Sequence, residues 1–297
     1  MCMNNIYFSE FASADCFETF ELGNQITGQT INKYFTRTKI SEEQLAQKKH
    51  ILFIGDSFTY GHGVEDHETL PAHFESMLDD DEYYVINLAA TATSIDWSVT
   101  RLQQWCNTFS ENIHAVYFGV TAISRRTHWQ KVSRDNHGRY KQVDDLSSSL
   151  GDYIDINVYD KLDDASTYYK FDFLSGTSEK SELVKPKHKA YIILSSKVND
   201  VNYCERNLVS VKQKANIYNF NVYVYFILKD LTISEQEIMK ENLESNNSNI
   251  DIKVQTGFAW FVPEPTENYR LSDGHWNSNG CNYMATKLLD NTIEWYN

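Results

Sequence analysis

The chain has 297 residues, with 27 basic and 41 acidic side chains and a formal net charge of −14. This length suffices for one large α/β domain or two small ones, and a hydrophobic content of 41% excludes general disorder. The negative charge disfavours binding to nucleic acids and to anionic membranes. It is compatible with neutral substrates or cationic partners.

The N-terminal 48 residues show no clean periodicity and carry several aromatic side chains. We expect residues 1–48 to form an irregular arm that packs on the main domain, which we place at 49–297. Residues 1–7 lack the basic and apolar regions of a signal peptide, and no stretch approaches the roughly 18 apolar residues of a membrane-spanning helix. The sequence therefore predicts a cytoplasmic protein without membrane association.

From residue 50 onward, apolar runs alternate with helical patterns. The pattern predicts strands at 50–55, 83–88 and 115–120 and helices at about 69–79 and 95–109, with Thr69 as the N-cap of the first helix. The order βαβαβ is typical of a parallel sheet. After an interruption the alternation resumes, with the following predicted elements: helix 189–218, strand 222–228, helix 234–243, strand 250–254 and helix 278–295.

The interruption spans residues 124–187 and is acidic and rich in tyrosine. Connections in α/β units usually have about 2–6 residues, so we interpret this segment as an insertion after the third strand. It either caps a substrate pocket or forms a separate elaboration or an oligomer contact. In the first case, Trp129, Tyr153, Tyr168 and Tyr169 are candidates for stacking on sugar rings.

The sequence Phe53-Ile-Gly-Asp-Ser-Phe-Thr-Tyr-Gly-His-Gly63 follows the first predicted strand. A serine at the point where a buried strand ends in a glycine-bordered turn is presented at the rim of the sheet. Ser57 is therefore a candidate nucleophile, although Gly-Asp-Ser is also an ordinary turn sequence.

A second polar block, Leu271-Ser-Asp-Gly-His-Trp-Asn-Ser-Asn-Gly280, precedes the last predicted helix. A nucleophilic serine needs a base within hydrogen-bond distance, and a histidine base needs a carboxylate that fixes its tautomer. His275 and Asp273 are candidates for these two roles.

With these two blocks at opposite ends of an alternating α/β pattern, residues 48–297 resemble the SGNH (GDSL-type) hydrolase family. The resemblance implies a three-layer flavodoxin-like fold and cofactor-free serine ester hydrolysis, with Ser57 as nucleophile, His275 as base and Asp273 as its orienter. Members of the family most often separate acid and base by two residues, whereas one residue, Gly274, separates them here.

The resemblance also implies an oxyanion hole made of the serine N–H, a glycine N–H and an asparagine side chain. The aligned positions of this chain are Ser57, Ala92 and Thr121. Alanine still offers its N–H, and threonine offers a hydroxyl with a shorter reach than an amide.

Other candidate sites are weaker. His62, His67 and His73 lie near the nucleophile block, but their spacing fits no zinc pattern, so we predict no metal site. The five cysteines are scattered and include no CxxC pair, and Cys281 is interpreted as a core residue and not as a nucleophile.

The resemblance, together with these patterns, favours an esterase that removes O-acyl groups such as acetyl from a carbohydrate. An O-acyltransferase uses the same catalytic residues, and a non-catalytic binding module retains the same fold, so both remain alternatives. No cofactor, nucleic acid or membrane partner is expected, and the oligomeric state stays open.

Overall fold

The computed structural model describes residues 16–22, 25–31, 37, 45–78, 81–90, 93–123, 129–134, 140–142, 153–155, 197–227, 231–244, 250–252 and 266–290. Its main sheet has five parallel strands, which confirms the predicted α/β class. The strands are β3 (Lys49–Ile54), β4 (Tyr83–Asn87), β5 (Ile113–Val120), β9 (Asn221–Phe226) and β10 (Ile250–Ile252).

Five helices of this sheet match predicted ones, and the short helix after β3 was not predicted; residues 189–196 and 291–295 of the predicted helices lie outside the described residues. The helices are α1 (Ser57–Tyr60), α2 (Leu70–Met77), α3 (Ile95–Phe109), α4 (Lys197–Tyr218), α5 (Ile233–Glu244) and α6 (Ser278–Asp290), with short 3-10 turns at Asp66–Glu68, Ser110–Asn112 and Thr266–Asn268. Among the described residues, no helix is both long and apolar enough to cross a membrane.

The strand order is β10-β9-β5-β3-β4, which is the order 2-1-3-4-5 of flavodoxin-like sheets read from the other edge. The strands β3, β4, β5 and β9 bury side chains on both faces, whereas the edge strand β10 buries one face. In β3, Leu52 and Ile54 join one hydrophobic cluster with α3, α4 and α5, whereas Ile51 and Phe53 join a second cluster with α2 and α6. The helices therefore cover both faces, and the fold is a three-layer α/β/α sandwich.

This order places the switch point of the sheet between β3 and β5, because the chain extends the sheet on one side of β3 and then on the other. Open α/β sheets bind ligands at the carboxyl ends of the strands at such a point. Ser57 follows β3 and Thr121 follows β5, so the fold brings the predicted site residues to this position.

The N-terminal segment differs from the predicted irregular arm. Strands β1 (Cys16–Leu22) and β2 (Gln25–Ile31) pair in antiparallel fashion over their full length. The sequence between them is Gly23-Asn24, a dipeptide typical of tight hairpins, so the signal was present in the chain.

In the described part of residues 124–187 there are three further strands. They are β6 (Trp129–Arg134), β7 (Tyr140–Gln142) and β8 (Tyr153–Asp155), which form an antiparallel sheet in the order β7-β6-β8. Tyr168 and Tyr169 lie outside the described residues. The role of this segment as a cap stays a prediction.

Three cysteines whose side chains the structure describes are core residues, as predicted for Cys281. Cys106, Cys204 and Cys281 are free thiols with at most 1% exposure. Burial raises the pKa of the Cys281 thiol to about 12, which keeps it protonated and unreactive at neutral pH.

His50 at the start of β3 is a buried histidine held in one tautomer. Its Nε2 lies 2.7 Å from the Leu45 carbonyl oxygen, and the Trp105 Nε1–H donates to its Nδ1 at 3.2 Å. Only a neutral ring with the proton on Nε2 satisfies both partners, because a proton on Nδ1 would face the indole N–H. Burial lowers the pKa of His50 to about 4, and the hydrogen bond to Leu45 opposes this only in part.

We expect this histidine to make the fold sensitive to acid. A group with a lowered folded-state pKa contributes its full stability above its unfolded pKa of about 6.5 and loses it as the pH falls toward about 4. Each pH unit between these two pKa values corresponds to about 1.4 kcal/mol, so the free energy of unfolding should fall by about 3 kcal/mol. Chemical denaturation at pH 7, 5.5 and 4.5 measures this loss. The decrease in unfolding free energy with falling pH should be smaller in His50→Gln. It should be unchanged in a control, His67→Gln, whose imidazole is exposed. An equal decrease in all three proteins would contradict the assignment of the acid sensitivity to His50.

Candidate active site

The nucleophile turn is capped at both ends. Asp56, the residue before α1, accepts a hydrogen bond from the Phe58 N–H at 3.1 Å, as an N-cap does. Gly61 ends the turn with a φ of 81°, a left-handed conformation that glycine adopts at little cost. Ser57 is thereby fixed as the first helical residue beyond the carboxyl end of β3.

The loop before α6 folds the Asp273 carboxylate back onto the histidine two residues later. Gly274 has a φ of 89°, and its N–H donates to the Leu271 carbonyl at 2.9 Å. Asp273 Oδ1 then accepts from the His275 backbone N–H at 3.1 Å, and Oδ2 lies 2.9 Å from His275 Nδ1. The left-handed glycine explains how a spacing of one residue still pairs the acid with the histidine.

The structure brings the three predicted catalytic residues together. His275 Nε2 lies 2.8 Å from Ser57 Oγ, across 218 positions of the chain. Because the carboxylate of Asp273 only accepts hydrogen bonds, it holds the ring proton on Nδ1 and leaves Nε2 as the acceptor for the serine hydroxyl. The Phe58 ring packs against the imidazole with a centroid distance of 4.8 Å, which fixes the ring laterally.

The Asp273 carboxyl is held in its ionised form. Burial alone raises its pKa, but the hydrogen bond from the His275 backbone N–H and the nearby imidazoles of His275 and His62 outweigh burial. The pKa of Asp273 therefore lies below its ordinary value. An ionised carboxylate at this position stabilises a positive charge that develops on His275.

Thr121, which the sequence predicts as an oxyanion donor, directs its hydroxyl at Asp56. Its hydroxyl donates to Asp56 Oδ2 at 2.7 Å, and the residue is 1% exposed. A hydroxyl has one proton, so this geometry directs the proton to the carboxylate and away from an oxyanion at Ser57. Thr121 instead connects the end of β5 to the cap of the nucleophile turn, and Asp56 receives bonds on both of its oxygens.

The remaining oxyanion assignments stay predictions. Ala92 lies outside the described residues. The Ser57 N–H is at the first position of a helical turn, where backbone N–H groups lack an intrahelical acceptor and can face an anion.

Arg37 is a structural contributor to the site that sequence reasoning missed. Its guanidinium donates to the carbonyl oxygens of Tyr60, Gly61 and Val64 and forms a 2.7 Å ion pair with Asp66. The side chain is fully buried and satisfies the carbonyls that the end of α1 and the following turn leave open. No local motif marks an arginine 20 residues upstream of the nucleophile, so only the fold reveals this contact.

His62 was weighed from the sequence only together with His67 and His73, and its contact with the predicted catalytic residues was not foreseen. Its ring lies 4.8 Å from the His275 ring between centroids, and its Nε2 is 3.8 Å from Asp273 Oδ2. Burial and the neighbouring His275 lower the pKa of His62, with Asp273 acting in the opposite direction. The two histidines that the sequence analysis grouped with His62 have other contacts. The exposed His67 lies near Glu65, and His73 contacts Ser278. Among the described residues, the cluster with metal-ligand chemistry is His62, Asp273 and His275.

Comparisons with known proteins add the following. No family model matches the chain, and no curated protein matches it. One similar solved structure is a crystal structure of the psychrotrophic esterase EstA from Pseudoalteromonas sp., inhibited by monoethylphosphonate. Its sequence is 13% identical, the match covers 84% of this chain and 99% of that chain, and the TM-score is 0.47. A crystal structure of TesA is similar at 12% identity, with coverage of 83% and 97% and a TM-score of 0.46.

Proposed function

We propose that this protein is a serine ester hydrolase of the SGNH type. The observation that carries the proposal is the continuous hydrogen-bonded chain from Ser57 Oγ to His275 Nε2 at 2.8 Å and from His275 Nδ1 to Asp273 Oδ2 at 2.9 Å. Nucleophile, base and orienter are thus in hydrogen-bond contact at the switch point of an open α/β sheet. The chain supplies all three groups, so the chemistry requires no cofactor.

In the first half of the reaction, Ser57 Oγ attacks the ester carbonyl carbon while His275 Nε2 takes the hydroxyl proton. The resulting imidazolium is stabilised by the Asp273 carboxylate. The tetrahedral intermediate collapses as His275 returns the proton to the leaving alkoxide, which departs as an alcohol and leaves an acyl-serine.

In the second half, His275 removes a proton from water, and the resulting hydroxide adds to the acyl carbonyl. Collapse of this second intermediate releases the carboxylic acid and returns the proton to Ser57. Backbone N–H groups at Ser57 and, by alignment, Ala92 stabilise both oxyanions, and each such donor typically contributes about 2.7–4 kcal/mol in the transition state.

For the substrate, we propose an O-acyl group, such as acetyl, on a carbohydrate. The net charge of −14 favours neutral over anionic substrates. The tyrosine-rich residues 124–187 follow β5 at its carboxyl end and supply aromatic rings for stacking on sugars. Analysis of products in the presence of an acceptor sugar distinguishes hydrolysis from acyl transfer, because both proceed through the same acyl-serine.

An organophosphonate probe tests the nucleophile directly. We expect one phosphonate adduct per chain on Ser57, because the base at 2.8 Å activates this hydroxyl. Intact-mass spectrometry and peptide mapping measure the adduct, with Ser57→Ala as the unlabelled control. An absence of labelling in the folded protein, or labelling at another serine, would overturn the proposed function.

A further inference from the structure

His62 contacts the proposed triad without a role in the ester chemistry. One possible ligand atom from each of His62, Asp273 and His275 lies within 4.8 Å of the other two. Two imidazoles and one carboxylate are a ligand set typical of zinc. We propose that His62, Asp273 and His275 bind a zinc(II) ion and that this ion switches the site off. The binding stands on the geometry alone, whereas the inhibition rests on the proposed function.

The two ligand-atom pairs that include Asp273 lie close to the spacing that a tetrahedral ion requires, and the two imidazoles must move together around the ion. Zinc–nitrogen and zinc–oxygen bonds of about 2.0–2.2 Å place tetrahedral ligand atoms about 3.3–3.6 Å apart. His62 Nε2 and Asp273 Oδ2 are 3.8 Å apart, which is too long for a hydrogen bond and close to this separation. His275 Nδ1 and Asp273 Oδ2, at 2.9 Å, need to part by a few tenths of an ångström.

The Asp273 carboxylate can change partners without losing its position. Its Oδ1 keeps the bond from the His275 backbone N–H at 3.1 Å, while Oδ2 exchanges the imidazole proton for the ion. The three side chains are 22–30% exposed, which gives the ion a route from solvent and leaves the fourth ligand position to water. The Arg37 guanidinium acts electrostatically on His62 and would repel a cation, but its charge is paired with Asp66.

Inhibition follows from the tautomer that the ion imposes. An ion on His275 Nδ1 uses the lone pair of that atom, so the single ring proton of the neutral imidazole moves to Nε2. The Nε2–H then donates toward Ser57 Oγ, 2.8 Å away, and has no lone pair with which to take the serine proton. The ion therefore removes the general base without displacing any residue of the triad.

Binding is tested by competition with a colorimetric zinc chelator, using the full-length chain. We expect His62→Ala to weaken zinc binding at this site by at least about tenfold, since loss even of a residue that only orients a ligand typically costs about 10–100-fold. Ser57→Ala and the control His67→Ala, whose imidazole is 77% exposed, should bind as the unsubstituted chain does. Equal zinc affinity in His62→Ala and the unsubstituted chain would overturn the proposed site.

Inhibition is tested by esterase rates in a zinc titration. Zinc should inhibit and a chelator should restore the rate, Mg²⁺ should have no effect because it prefers oxygen ligands, and His62→Ala should need at least about tenfold more zinc. Zinc bound through His62 without loss of rate would refute the switch. If the chain hydrolyses no ester at all, the proposed function fails, while the chelator competition still decides the zinc site.

Discussion

Substitution of Ser57 by alanine should abolish ester hydrolysis and leave the fold intact. Among the described residues, the Ser57 hydroxyl is the group in hydrogen-bond contact with His275 Nε2, at 2.8 Å, so its removal takes away the proposed nucleophile. Catalysis that remains without the triad should be at most about 10³–10⁴-fold above the rate in water. Hydrolysis of a short-chain aryl ester measures the loss, and a single hydrogen bond limits the change in unfolding free energy to about 1 kcal/mol.

Ser110→Ala is a matched control for this experiment. Ser110 precedes β5 at the amino-terminal edge of the sheet, opposite the edge that carries the site. Its loss should leave kcat/KM unchanged. Turnover by Ser57→Ala equal to that of the unsubstituted chain would show that the measured activity does not come from this site.

The fold was predictable because each strand and helix carries a strong local pattern. Apolar runs such as 50–54 and 222–227 are too short for helices, and amphipathic helices separate them, so a parallel sheet follows. The hairpin of β1 and β2 was missed because the apolar side chains Phe17, Phe20 and Leu22 do not alternate strictly with polar ones. Strand assignment from sequence depends on the alternation of apolar and polar side chains. Without it, the Gly-Asn dipeptide was the one sequence feature that indicated a hairpin.

The triad was predictable for a different reason. Ser57, Asp273 and His275 lie in two short polar blocks next to predicted elements, and parallel strands bring such blocks to one edge. Thr121, Arg37 and His62 act through contacts with distant residues. Only packing decides that the Thr121 hydroxyl points at Asp56 and not at the substrate, and no periodicity encodes that choice.

Asp273→Asn should lower kcat by about 10⁴-fold while the chain stays folded. The amide is nearly isosteric, and its N–H₂ group can donate to His275 Nδ1, which the carboxylate cannot do. The imidazole then carries its proton on Nε2, directed at Ser57 Oγ, and cannot act as the base; a comparable change in a serine protease triad costs about 10⁴ in kcat. Steady-state kinetics measure the rate, and histidine nitrogen chemical shifts report the tautomer.

Asp251→Asn is the control for a lost carboxylate, because Asp251 lies on β10 at the edge of the sheet away from the switch point. Its rate should be unchanged. The double substitution of Asp273→Asn with Ser57→Ala should cost no more than Ser57→Ala alone, because residues that act as one unit are strongly non-additive. If Asp273→Asn retains the full rate with His275 protonated on Nδ1, another group orients the histidine, and Asp273 is not part of the catalytic machinery.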